Sequence, residues 1–152
     1  MITRRGLVAA GAGVLLAGCG ADDEPVAPDA RLLAPVLAAE AALVEAYERV
    51  PGRLGRALAA RASAHAERLR AAGAAPGPAG AATAGGDPLE AALALQRRSM
   101  AACVAAVGVV SEPARRALVA DVLTGGAEHA AILLTRLGRD PLPTAFPDGR
   151  EA

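Results

Sequence analysis

The sequence predicts an all-α fold, a four-helix bundle in one domain. Three observations carry this reading. Four stretches, at 29–50, 53–72, 88–110 and 113–137, are rich in Ala, Leu, Arg and Glu, all strong helix formers. In each, apolar residues recur at three- and four-residue spacing, the period of one helix face. No stretch alternates apolar and polar residues as a half-buried strand would.

The elements follow in chain order. Met1-Ile2-Thr3-Arg4-Arg5 is a short positive start, and residues 6–18 form an uncharged run of 13. That is too short for a membrane-spanning helix, which needs roughly 20 residues. A charged start, an apolar centre and small residues at the end describe a removable export signal. Arg4-Arg5, with apolar residues just after them, resembles a twin-arginine motif. Leu16-Ala17-Gly18-Cys19 is similar to a bacterial lipobox, which implies acylation of Cys19 and a lipid-anchored place on the outer face of the cell membrane. Residues 1–18 are thus expected to be removed, leaving 134 of the 152. The acidic, proline-bearing stretch 19–28 reads as a tether, and 29–150 as the bundle.

Within the bundle, Pro51-Gly52 closes the first helix, and Gly73 closes the second. Pro35 either kinks the first helix or marks its start. Asp87 and Pro88 form a capped start for the third helix. Ser111 is the expected cap of the fourth, which Gly138 ends. Two residues join the first pair of helices and two the second, so each pair is expected to be an antiparallel hairpin. The connection 73–87 has 15 residues, nearly all Gly, Ala and Pro. Extended at about 3.3 Å per residue it reaches roughly 50 Å, enough to cross the length of a bundle.

Composition excludes several function classes. Loss of Arg4 and Arg5 from sixteen arginines, against sixteen acids, leaves a charge of −2. There is no lysine and no concentrated basic stretch, and the only aromatics are Tyr47 and Phe146, which argues against nucleic acid as a partner. With Cys19 acylated, Cys103 is the remaining thiol and reads as a small core residue. No motif places a Ser or Cys nucleophile beside a histidine, so hydrolase chemistry has no support.

One polar residue interrupts each apolar stripe: Glu40 after Leu33 and Val36, His65 after Leu58 and Ala62, Gln96 after Leu89 and Leu93, and His129 after Val122 and Gly126. Counted from the two turns, Glu40 and His65 differ in depth by two residues, as do Gln96 and His129. Two residues are about 3 Å along a helix, so the partners can meet. Buried polar groups need partners, and a shared polar layer is the simplest way to supply them. Glu45, Glu48, Glu67, Glu90, Asp121 and Glu128 fall off the stripes and read as solvated. Gly125-Gly126 within a helix costs about 1 kcal/mol per glycine relative to alanine. The pair permits close packing, a bulge or space for something bound.

Glu, His, a third-helix polar residue and then His is an order that resembles the ferritin-like four-helix bundle. The stretches Ala39-Glu40-Ala41-Ala42-Leu43-Val44-Glu45-Ala46-Tyr47 and Glu128-His129-Ala130-Ala131-Ile132-Leu133 are similar to small exported bacterial members of that family. So is the tail from Leu137 to Gly149. The resemblance covers 29–150 and implies two hairpins joined by a long crossover. Its di-iron site implies Glu-x-x-His on two helices and a Glu on each of the others. Here Ala62 and Gly126 stand three residues before the histidines, and Gln96 takes the third-helix carboxylate position. Three of four carboxylates are gone, so no di-iron cofactor is expected. The expected protein is a membrane-anchored, non-catalytic binding or structural module with a degenerate ligand set. The alternative is a mononuclear divalent-metal protein using Glu40, His65 and His129, beside Gln96.

Overall fold

The computed structural model describes residues 28–77 and 86–141, and these contain four helices and no strand. They are α1 (Pro28–Glu48), α2 (Gly52–Ala71), α3 (Pro88–Val107) and α4 (Pro113–Arg136). α1 packs against α2 and α3, α3 packs against α4, and α2 meets α4 along a thinner seam. Cys19, Arg4, Arg5 and the tail 142–150 lie outside the described residues.

Local chemistry explains the boundaries. Asp87 caps α3, its carboxylate accepting the Leu89 N–H at 2.9 Å, with Pro88 inside the first turn. The expected cap of α4 is corrected: Glu112, not Ser111, accepts the N–H groups of Ala114 and Arg115. Ser111 instead donates its N–H and hydroxyl to Asp29 in the first turn of α1, and Glu112 donates its N–H to the same carboxylate. These bonds hold Asp29 below the usual carboxylate range, because backbone donors favour the charged form. Both links are longer than expected: residues 49–51 join α1 to α2, and 108–112 join α3 to α4. Pro35 lies inside α1, which starts seven residues earlier, so it does not mark the helix start. The connection after α2 begins by lying along α1, where Ala75 donates its N–H to the Ala30 carbonyl at 3.0 Å.

The core is divided. One apolar cluster, including Leu43, Leu58, Leu93 and Leu133, fills the end near the α1–α2 turn. The other, including Leu33, Leu69, Val119 and Cys103, fills the end near the α3–α4 link. Each buried Leu contributes roughly 1.5–3 kcal/mol relative to exposure. α4 has the length and apolarity of a membrane span. Its apolar side is spent on the core, where Leu118, Val122, Leu133 and Leu134 are buried. Between the two clusters, all four helices turn polar residues inward.

Candidate functional site: the polar layer

Glu40, Ser99, Gln96 and His129 are at most 2% exposed, and Tyr47 beside them is fully buried. His65 closes the layer at the α2–α4 seam, its side chain 14% exposed. α1 supplies Glu40 and Tyr47 two turns apart, and α3 supplies Gln96 and Ser99 one turn apart. Those spacings place each pair on one helix face.

The layer has two halves. In the first, Ser99 Oγ donates to Glu40 Oε1 at 2.6 Å, and His65 Nδ1 lies 3.1 Å from Glu40 Oε2. Both carboxylate oxygens are therefore engaged, and an ionised Glu40 draws the His65 proton to Nδ1. In the second half, Tyr47 donates its hydroxyl proton to Gln96 Oε1. The Tyr47 oxygen is left to accept from His129 Nδ1, 3.5 Å away. His129 thus carries its proton on Nδ1 and turns a bare lone pair at Nε2 inward. That nitrogen has no hydrogen-bond partner among the described residues.

Burial sets the electrostatics. Desolvation pushes His129 down to about 4, against a smaller opposing pull from Glu40, so the ring is neutral at pH 7. Desolvation, reinforced by the Glu40 charge, holds the Tyr47 phenol far above its ordinary value. The same two causes push the Cys103 thiol up to about 12, which leaves it protonated and unreactive. No group here is poised to exchange protons near neutrality among those whose shift is resolved.

The two glycines have distinct roles. A Cβ on Gly125 would stand 2.9 Å from His65 Cε1, and one on Gly126 would stand 2.8 Å from Gln96 Nε2. Gly125 lets His65 lie against α4, where its ring stacks toward His129 with centroids 6.4 Å apart. Gly126 leaves the space that the Gln96 amide fills. On the outer side of the seam, Arg61 pairs with Glu128 and Arg68 with Asp121. These off-stripe acids are exposed, as expected, and such pairs contribute about 0–1 kcal/mol each.

The predicted residues fare differently. Glu40 meets His65, as their depths allowed. Gln96 and His129 are brought close, but the Tyr47 hydroxyl stands between them. Among the described residues, no three His, Cys, Asp or Glu side chains are grouped to hold a metal ion. Sequence reasoning missed Ser99 and the polar role of Tyr47. Their signals were present: Ser99 lies one turn beyond Gln96, and Tyr47 is the chain's one tyrosine, two turns beyond Glu40. No family model, no curated protein and no solved structure matches this chain.

Proposed function

We propose that this chain is an exported, lipid-anchored module of the bacterial cell envelope, a ferritin-like bundle of two antiparallel hairpins whose interior layer is structural. The Cys19 and Arg4-Arg5 motifs support the location. The short α1–α2 and α3–α4 links and the long connection between the pairs support the hairpin arrangement. One observation carries the non-catalytic reading: Glu40 is the layer's one carboxylate, and His65 and Ser99 occupy both of its oxygens. The di-iron centre of the ferritin-like family does not fit these residues. Two cations beside a single, already bonded carboxylate would keep most of their charge uncompensated, and Gln96 fills the space beside Gly126.

The bare His129 Nε2 favours a second reading, a single divalent ion held by His129 and His65. For Glu40 to join them, its hydrogen bond to His65 would have to open. Metal analysis and melting of the full chain separate the two. A structural layer predicts no stoichiometric metal and no shift of Tm with chelator, because only a ligand bound to the folded state stabilises it. Stoichiometric metal in protein purified without added ions, lost on His129→Ala, would establish the second reading instead.

A further inference from the structure

Gly125 and Gly126 bare one turn of α4, and side chains from α2 and α3 close on it. A Cβ on Gly125 would stand 3.4 Å from His65 Nε2, so the nitrogen that His65 does not use for Glu40 faces this turn. A Cβ on Gly126 would stand 3.2 Å from Met100 Cγ, which brings the thioether sulfur, one bond further along, to the same turn. His129 follows one turn later on the same face of α4. It is 2% exposed, and its Nε2 has no partner among the described residues. The His65 and His129 rings stack with centroids 6.4 Å apart.

These three groups share a chemistry. Each imidazole has its Nδ1 proton held by an oxygen, Glu40 for His65 and Tyr47 for His129, which fixes the lone pair on Nε2. Anchoring of that kind is what orients a histidine toward a metal ion. Leaving the His129 lone pair buried and unpaired costs about 1–3 kcal/mol, and a bound cation removes that cost. Met100 is buried, and it is the one methionine after Met1. A thioether selects soft monovalent copper, whereas zinc takes four ligands, usually with thiolate or carboxylate among them. Charge points the same way. Glu40, the one carboxylate of the layer, balances a single positive charge and keeps its bonds to His65 and Ser99. A divalent ion would leave one charge uncompensated in the interior.

We propose that His65 Nε2, His129 Nε2 and the Met100 thioether form a binding site for a soft monovalent ion, copper(I) or silver(I), with Glu40 balancing its charge through His65. The proposal goes beyond the structural reading of the layer, which needs no ion. It differs from a divalent site in drawing on Met100 and in leaving Glu40 bonded as it stands. The way in is the thin α2–α4 seam, where the His65 side chain is 14% exposed. Cys103 packs in the apolar cluster toward the α3–α4 link, and burial keeps its thiol protonated, so the site uses the thioether instead.

Silver(I), which does not change oxidation state, tests the site in the full chain with both thiols removed by Cys19→Ser and Cys103→Ala. Uptake of one silver(I) per chain is expected, with NMR shifts of the Met100 ε-methyl carbon and of both histidine Nε2 nitrogens. Zinc(II) at the same concentration should move none of them. Met100→Leu conserves packing volume and should weaken silver(I) binding roughly tenfold or more, whereas His129→Gln should abolish it. No uptake, uptake that leaves the Nε2 resonances in place, or equal affinity in Met100→Leu would each overturn the proposal. Zinc(II) bound as tightly as silver(I) would overturn it in favour of the divalent site.

Discussion

His129 and Gly126 are the residues through which the layer can be tested one at a time. An unfolded histidine titrates near 6.5, whereas His129 in the fold titrates at about 4. The unfolded chain therefore binds the proton first as pH falls. The stability tied to a neutral His129 is complete above pH 6.5 and is lost progressively down to about 4. A shift of that size corresponds to on the order of 3 kcal/mol. In denaturant titrations, the fall in stability across this window should be shallower for His129→Gln than for the wild type. Equal slopes would mean that the ring is not buried neutral. Gly126→Ala sets a helix-propensity gain of up to about 1 kcal/mol against a Cβ placed 2.8 Å from Gln96 Nε2 and 3.2 Å from Met100 Cγ. Gln96 is buried and bonded to Tyr47, so it has little room to yield. Overpacking of about 1–3 kcal/mol should prevail, and thermal melting should show a lower Tm for Gly126→Ala. A raised Tm would mean that the Gln96 amide moves aside freely.

At the scale of elements, Asp29 ties the start of α1 to the link between α3 and α4. It accepts from Ser111 N, Ser111 Oγ and Glu112 N at 2.9–3.1 Å, with Arg115 4.0 Å away. The carboxylate thus serves donors at the start of α4 that no residue within α4 serves. Because these bonds lower its pKa, the tie is complete above the ordinary carboxylate range and weakens as pH falls through the lowered value. Asp29→Asn keeps the shape but loses the charge and one acceptor. It should lower Tm at pH 7, speed amide exchange at Ser111 and Glu112, and remove part of the acid sensitivity. Unaltered exchange at those two amides would show that the link holds itself without α1.

For the whole molecule, the proposed location rests on Cys19 and the Arg4-Arg5 pair, which lie outside the described residues. Cys19→Ala should release the protein from membranes or leave it unprocessed, read by fractionation and by the mass of the mature N-terminus. Identical fractionation of both forms, with no acyl mass, would remove the anchoring proposal. Replacing Arg4 and Arg5 by Lys should leave precursor in the cytoplasm. Normal export of that variant in cells lacking twin-arginine machinery would exclude the route. Neither result bears on the layer, so location and interior chemistry are tested independently.

The all-α class, the existence of four helices and the inward face of each were legible in the sequence, because helical periodicity is a local property of side-chain spacing. So was the meeting of Glu40 with His65, since distance from a short turn sets the height of a residue along the bundle. Height does not set lateral position, and there the tertiary structure decided. It placed the Tyr47 hydroxyl between Gln96 and His129, and it gave Ser99, not a histidine, the second oxygen of Glu40. It also took Ser111 away from capping α4, because Asp29, more than eighty residues earlier, offers its N–H and hydroxyl a charged acceptor. The sequence alone determined that Glu40, His65, Gln96 and His129 face inward and need partners; it did not single out Ser99, the Tyr47 hydroxyl or Asp29. Which partner each one found depended on how helices distant in sequence rotate and approach, and spacing along one helix carries no information about that.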